Sequence, residues 1–435
     1  MIQPGLERIH RLLANTPLTW KAIHVAGTNG KGSICAALSA MLHASGVRCG
    51  RFTSPHLIDR WDCINISETP VTKKLFQQVE ADLRRLDQEH SIKASEFELL
   101  TATAFRIFNS ENLDFAVVEV GMGGLLDATN IITKPSVTII SKISLDHQNF
   151  LGNTVEEIAF QKAGIIKRGV PCIVDGNNTP TVLDVIRKQA MILEAPLIVR
   201  KSLPHFESND QHWKSFKERK YLQYQSTNLG LAYQALVTAY QSIQQQPPSP
   251  SILGTIPPDH WPGRTQNISI QNLTERENPV LIDGAHNVDS ALVLKQYVPE
   301  DRPVTWLVSM SQGKNSREIL KHLLRDGDSL VAVKFGAVDG MPWVKAMEPK
   351  ELCEVAGQVA SLSQLIDGSQ DVHAAIHKAA QISQEGNMII TGSLYLVSDV
   401  LRLKRDHSVS GALPATPTFG PEHFMSNDIK TWRWD

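Results

Sequence analysis

Short apolar, β-branched runs recur along the chain beside longer stretches whose apolar residues fall at helical spacing. That rhythm predicts an α/β fold of parallel strands joined by crossover helices. Ala22-Ile23-His24-Val25 reads as a strand and Ile34 to Ser45 as a helix. Phe115 to Val120 and Val137 to Ile140 read as buried strands, Val155 to Ile166 as a helix, and Pro171 to Val174 as a further strand. From about 244 to 267 the pattern fails, with Gln244-Gln245-Gln246-Pro247-Pro248-Ser249-Pro250, then Pro257-Pro258 and Trp261-Pro262-Gly263. Proline fixes φ and removes an amide donor, so neither helix nor sheet is expected there and the segment reads as a semi-rigid linker. Alternation resumes with Val280-Leu281-Ile282, Val304 to Val308, Leu330 to Val333 and Met388-Ile389-Ile390. Two units are expected: residues 1–267 around a mostly parallel sheet, and a smaller open-sheet α/β unit at 268–435. The second ends in an irregular tail containing Pro414, Pro417 and Pro421.

Composition narrows the function. The chain has 435 residues, 42% hydrophobic and 20% charged, which excludes a disordered chain. Lys and Arg number 43 against 45 Asp and Glu, a formal charge of −2. No global field attracts polyanions, so nucleic acid is not an expected partner and any phosphate must be held locally. Five cysteines without CxxC spacing argue against a disulfide framework or zinc ribbon and point to a reducing compartment. The N-terminus lacks the basic and apolar regions of a secretory signal, and Glu7 weakens a transit-peptide reading. No run reaches the ~18 to 20 apolar residues of a membrane span. The expected location is the cytoplasm, a mitochondrial pool being compatible with the same sequence, and no membrane partner is expected.

The sharpest local feature is Ala26-Gly27-Thr28-Asn29-Gly30-Lys31-Gly32-Ser33, between a strand and a helix. Glycines let the backbone aim several N–H groups at one anion, and the helix N-terminus adds partial positive charge. Lys31 can neutralise β/γ-phosphate charge and the Ser33 hydroxyl can coordinate Mg²⁺. The strict G-x-x-x-x-G-K-[ST] pattern is not met, because the loop is shorter and Gly32 separates Lys31 from Ser33. Mg²⁺ needs further oxygen ligands. Glu119 interrupts an apolar run before Gly121-Met122-Gly123-Gly124 and should lie at the carboxyl end of a central strand, where open α/β sheets place their sites. Leu145-Asp146-His147 should open onto the same edge; a lone histidine is more often a satisfied structural residue than a ligand, although neutral imidazole is a common metal donor. Lys162, by pattern alone, is a solvated helix lysine.

Taken together these segments are recognisable. Gly27 to Ser33, Thr53-Ser54-Pro55-His56-Leu57, Glu119 to Gly124, Leu126-Asp127-Ala128-Thr129-Asn130, Leu145-Asp146-His147, Lys162-Ala163-Gly164 and Asp283-Gly284-Ala285-His286-Asn287 occur in family order. They resemble the folylpolyglutamate synthase/dihydrofolate synthase family of the Mur-ligase superfamily. Asp62-Cys63-Ile64, with Leu126 to Thr129, is more similar to the dihydrofolate synthase branch.

The resemblance implies an N-terminal P-loop ATPase unit and a Rossmann-like C-terminal unit that closes over the nucleotide. It implies an ATP-dependent amide ligase that joins L-glutamate to a pterin-linked acid, dihydropteroate or a folate, through an acyl phosphate. Chain extension, or both activities, is the alternative within the class, and an ATP-binding regulatory switch the alternative outside it. By resemblance, Gly27, Thr28, Asn29, Gly30, Lys31, Gly32, Ser33, Arg264 and Asp283 bind ATP, and Lys31, His147, Lys162 and His286 serve catalysis. Ser33, Glu119, His147 and a carbamylated Lys162 (N6-carboxylysine) hold two Mg²⁺ ions, with room for K⁺. Ser54, Pro55, His56 and Asp127 face the pterin; an acid suits the bidentate N3–H and 2-amino donors. By its position before Ala128, Asp127 also suits a helix cap. A monomer is expected. Leu125 stands where many relatives carry Arg, the linker lacks the usual Gly-Arg-Trp order, and Gln312-Gly313-Lys314-Asn315 replaces a segment that often reads Asp-Lys-Asp.

Overall fold

A computed structural model describes residues 5–14, 16–203, 211–219, 221–256, 261–368 and 371–410. The first eight strands are Lys21–Ala26 (β1), Cys49–Phe52 (β2), Ile64–Ile66 (β3), Thr69–Pro70 (β4), Phe115–Glu119 (β5), Val137–Ile140 (β6), Cys172–Asp175 (β7) and Leu197–Arg200 (β8). They form one sheet in the order β4-β3-β2-β5-β1-β6-β7-β8. The six strands from β2 to β8 pair in parallel, while β3 and β4 add an antiparallel edge. Side chains of β1 alternate between faces, as a strand's period of two requires. Ile23 and Val25 pack under the helices Lys31–Ala44 and Gln223–Ser242, and Ala22 joins the opposite face with Phe105 and Phe108 of the helix Glu96–Ser110. The buried strands β5, β1, β6 and β7 read as near-continuous apolar runs because both faces are covered, whereas β8, at the edge, is only partly buried.

The remaining strands, Gln266–Ile268 (β9), Val280–Ile282 (β10), Val304–Val308 (β11), Ser329–Ala332 (β12), Gln364–Asp367 (β13) and Asn387–Thr391 (β14), form a second sheet ordered β13-β12-β11-β14-β10-β9. Only β9 runs antiparallel. Helices cover both faces, with Val397 and Val400 of the helix Leu394–Ser410 on one and Leu320 of the helix Ser316–Leu323 on the other. The architecture is the α/β pair of sheets expected from the rhythm.

Three expectations change. The helix expected from Ile34 begins at Lys31, so Lys31, Gly32 and Ser33 lie in its first turn. The helix expected to reach Ile166 ends at Ala163. The supposed linker is not a spacer in its described parts. Pro250 opens a 3-10 helix, Pro250–Thr255, at the position where a missing N–H costs nothing. Leu253 and Ile256 are buried in the first core, and residues 266–268 become β9. Local proline content marks a break in pattern but carries no information about tertiary burial. Pro257-Pro258 and the tail with Pro414, Pro417 and Pro421 lie outside the described residues. Among the described residues, no helix is long and apolar enough to cross a membrane.

Candidate active site

The turn after β1 is built for close approach. Gly27 has φ +148° and a Cβ there would sit 1.8 Å from Ser141 Oγ; Gly30 has φ +90° and its Cβ would meet Asn228 Oδ1 at 2.6 Å. Ser141 Oγ donates to the carbonyls of Asn29 (2.8 Å) and Ala26 (3.3 Å), tying the loop to β6. Gly30 caps the helix Lys31–Ala44 without any side-chain hydrogen bond, so its first N–H groups are left for an anion.

Glu119 ends β5 beside this loop and is buried. Its Oε2 accepts from the Ser54 N–H at 3.2 Å, and its Oε1 lies 3.7 Å from Lys31 Nζ. Burial pushes its carboxyl above the usual range, and Lys31 works against that shift. A hard cation suits this rim: Ser33 offers a hydroxyl, Glu119 a carboxylate and His147 an imidazole. Among the described residues no three His, Cys, Asp or Glu side chains form a closed metal cage. A cation here would complete its shell with phosphate oxygens and water, as Mg²⁺ commonly does.

Lys162 overturns the solvated-lysine expectation. It is only 4% exposed, on the same helix face as Ile158 and Ala159, and its Nζ donates to the Gly27 carbonyl at 2.7 Å. Burial, reinforced by the charge of Lys31, pushes its ammonium down to about 7.

The second sheet closes the other side. Asp146 is the hub: Lys314 Nζ donates to its Oδ1 at 2.5 Å, and His286 Nε2 lies 3.4 Å from its Oδ2. Burial alone would raise this carboxyl; His286, His147 and Lys314 outweigh it and hold Asp146 far below the carboxylate range. His286 Nδ1 lies 2.8 Å from the Gly284 carbonyl, which places a hydrogen on that nitrogen. Asn287 Nδ2 donates to Asn29 Oδ1 at 3.0 Å, and Ser144 Oγ donates to Asp289. Asp283, whose carboxyl burial raises against the opposing charge of Arg264, accepts from the N–H groups of Thr265 and Ala285, both at 2.7 Å.

The wall beyond Glu119 is shaped by a loop from the first sheet that plugs into the second unit. Leu57 and Ile58 pack against the second core, Arg402 Nη2 donates to the Ile58 carbonyl at 2.6 Å, and Arg405 pairs with Asp59 at 2.5 Å. Asp62 gathers the N–H groups of Leu57, Ile58 and Asp59 at 3.0, 2.7 and 3.0 Å. His56 is buried, which lowers its imidazole to about 4 and keeps it neutral. Asp127 is buried and caps the 3-10 helix Ala128–Ile131, accepting from Thr129 N–H at 3.0 Å, Thr129 Oγ at 2.5 Å and Met122 N–H at 2.9 Å. Its capping role is therefore present, and the residue also borders the cavity.

Every candidate residue named from the sequence borders one cleft of about 1340 Å³, from Gly27 through Glu119, Asp127 and Lys162 to Arg264, Asp283 and His286. The structure adds Asp146 and Lys314, which residue patterns did not single out. Asp146 was visible only as the neighbour of His147, and Lys314 only within a segment that departs from the family pattern.

The sequence matches the Mur ligase middle domain over residues 25–184 and the dihydrofolate synthetase C-terminal domain over 266–403. It is 35% identical over 423 residues to the dihydrofolate synthetase of Saccharomyces cerevisiae, covering 93% of this chain and 99% of that one. Identity to the probable dihydrofolate synthetase of Schizosaccharomyces pombe is 37% over 424 residues, with coverage of 93% and 99%. Among solved structures, Mycobacterium tuberculosis folylpolyglutamate synthase complexed with ADP and AMPPCP matches with a TM-score of 0.75 and 26% identity, covering 95% of this chain and 96% of that one. Because the likeness spans both sheets and carries the phosphate loop with it, the chain belongs to the folylpolyglutamate synthase/dihydrofolate synthase family of the Mur-ligase superfamily, and it is an ATP-dependent ligase.

Proposed function

We propose that the protein joins L-glutamate to 7,8-dihydropteroate, giving dihydrofolate, ADP and phosphate. The observation that carries this reading is a single cleft in which the phosphate loop, the pair of half-buried Lys31 with buried Glu119, and the Asp127 wall all face one space. Similarity to two dihydrofolate synthetases over nearly their full length supports the same substrate pair.

A carboxylate is a poor acyl donor because its leaving group would be oxide. The substrate carboxylate oxygen attacks the γ-phosphorus of ATP, the bond to ADP breaks, and the acyl phosphate formed has phosphate as leaving group. The glutamate amine then attacks the acyl carbon, phosphate departs, and the nitrogen loses a proton. Two anions must approach in the first step, so cationic groups at the site of charge build-up lower the barrier. Lys31 and the open N–H groups of the helix Lys31–Ala44 face the phosphates. Arg264, just before β9 and beside Gly284, brings a second cation from the segment that joins the two units. Mg²⁺ held by Ser33 and Glu119, with a second ion at His147 and a carbamylated Lys162, would supply Lewis-acid charge neutralisation when bound; K⁺ would fit as an accessory cation. The first unit carries the loop and the second, from β9 onward, closes over it, the protein acting as a monomer in the cytoplasm, a mitochondrial pool being compatible.

Phosphate release with 7,8-dihydropteroate and with tetrahydrofolate as glutamate acceptors tests the reading. Release that requires dihydropteroate and glutamate together supports it; a preference for tetrahydrofolate assigns chain extension instead, and release independent of either acceptor assigns a switch. Asp127→Ala is expected to raise KM for dihydropteroate about tenfold while leaving KM for ATP nearly unchanged. The lost cap should also lower stability by about 1 kcal/mol, read as a urea midpoint shift. Equal changes in both KM values would remove the pterin contact.

A further inference from the structure

In β1, whose other polar residue, Lys21, is exposed at the strand's start, His24 is the buried polar residue. Its side chain is fully buried, and Ala22 and Ala26 share its face. Burial lowers its imidazole to about 3, so it is neutral at any working pH. Its Nε2 lies 2.8 Å from Thr129 Oγ, which in turn lies 2.5 Å from Asp127 Oδ1. Burial raises the Asp127 carboxyl and the hydrogen bonds from Met122 and Thr129 oppose that shift; in its ionised form the carboxylate only accepts, so the Thr129 hydroxyl hydrogen points at Asp127. The lone pair of Thr129 Oγ then faces His24, and Nε2 must carry the imidazole hydrogen. Nδ1 is left as a bare nitrogen with no partner among the described residues. A leucine at this position would avoid that unsatisfied atom, so a histidine here costs stability that packing alone does not repay.

We infer that His24 is a positioning residue for the pterin acid: by donating to Thr129 it orients the Thr129 hydroxyl toward Asp127 and holds that carboxylate as an acceptor toward the donor pair of the substrate ring. The inference rests on Asp127 being the pterin contact. It gives the buried histidine a role in substrate selection at a distance, because an acceptor whose hydrogens are all supplied from behind presents only lone pairs to the cleft. A ring offering two adjacent N–H donors matches that face, and one offering an acceptor there does not. The 3-10 helix that carries Thr129 is braced separately, since Asn130 Nδ2 donates to the carbonyls of Leu125 and Gly164 at 2.9 and 3.1 Å. Removing the imidazole donor therefore leaves the backbone frame supported.

His24→Leu, His24→Gln, Thr129→Val and Asp127→Asn decide it, with steady-state kinetics for each substrate and fluorescence titration of 7,8-dihydropteroate into the ATP-free protein. The glutamine amide nitrogen reaches about as far as Nε2 and restores the donor. His24→Leu and Thr129→Val are each expected to raise KM and Kd for dihydropteroate about tenfold, with KM for ATP and kcat within about twofold, and His24→Gln to return both toward wild type. An unchanged dihydropteroate Kd in folded His24→Leu, matching losses for ATP and dihydropteroate, or no rescue by glutamine would overturn the relay. If Asp127→Asn weakens dihydropteroate binding and His24→Leu does not, the relay alone fails. If Asp127→Asn leaves that binding intact, the pterin assignment of Asp127 fails and the relay with it. Should His24→Leu not fold, Thr129→Val carries the same comparison.

Discussion

Lys162→Ala is expected to cut the rate of dihydrofolate formation by about three orders of magnitude, within the range seen when a charge-stabilising group is removed, while ATP affinity changes by less than about threefold. The buried Nζ donates to the carbonyl of Gly27, at the root of the phosphate loop, and is surrounded by the charges of Lys31, Asp146, Asp127 and Glu119. An amine in that place has two chemical options. As an ammonium it adds a second cation beside Lys31; as a neutral amine it can attack CO₂, forming a C–N bond and releasing a proton, to become an anionic carbamate. Burial, with Lys31, brings its pKa down to about 7, so the neutral amine is abundant at slightly alkaline pH. The carbamate reading predicts that turnover in bicarbonate buffer rises between pH 6 and 8, and that a small carboxylate such as acetate partly restores Lys162→Ala. A ¹³C carbamate resonance after [¹³C]bicarbonate addition would report the modified side chain directly. Undiminished turnover of Lys162→Ala would remove the catalytic assignment; loss without bicarbonate dependence or carboxylate rescue would leave the ammonium as the acting form.

The same lysine sets a stability slope whose sign can be stated. Its folded pKa is about 7 and its ordinary value 10.5, so between those pH values the unfolded chain binds the extra proton. Stability then increases with pH across that window and this contribution levels off below about 7. Wild type should therefore gain on Lys162→Met as pH rises from 7 to 10, measured as the difference in urea midpoints. A flat difference would mean that Nζ is carbamylated or solvated throughout.

How far the sequence anticipated this site follows from where each signal resides. The strand at 115–119, the glycine turn at 27–30 and the acid that ends β5 are legible because period, turn chemistry and a charge in an apolar run are local properties. Lys162 is not, since the helix 155–163 is short and its neighbours Gln161 and Ala163 leave the buried face ambiguous until the sheet is in place. The Asp146–Lys314 contact joins residues 168 positions apart, and nothing in either neighbourhood encodes the other. Residues 250–256 mislead for a related reason: proline ended the periodic pattern, yet Leu253 and Ile256 found a core contributed by the helices Lys31–Ala44 and Gln223–Ser242. Family likeness supplied what periodicity could not for Lys162 and Asp283, because it encodes the assembled site rather than the local chain.

Glu119→Gln is the second substitution with a large expected effect. The amide keeps the shape of the side chain, and its oxygen can still accept from the Ser54 N–H now at 3.2 Å. What disappears is the negative charge 3.7 Å from Lys31 Nζ. The electrostatic field along the cleft then becomes more cationic without any gap in packing, so ATP should bind as well or better while a divalent cation loses its carboxylate. Turnover is expected to fall by about 10² to 10³-fold, with the Mg²⁺ concentration for half-maximal rate raised. Fold stability should change little, since burial already penalises the ionised form of Glu119. Lys31→Met probes the partner, and the two groups act as a unit if the double variant is no slower than the worse single one. Full additivity of the two losses would show that Lys31 and Glu119 serve separate steps. Turnover of Glu119→Gln within threefold of wild type at every Mg²⁺ concentration would leave the carboxylate only as the counter-charge that keeps Lys31 in place.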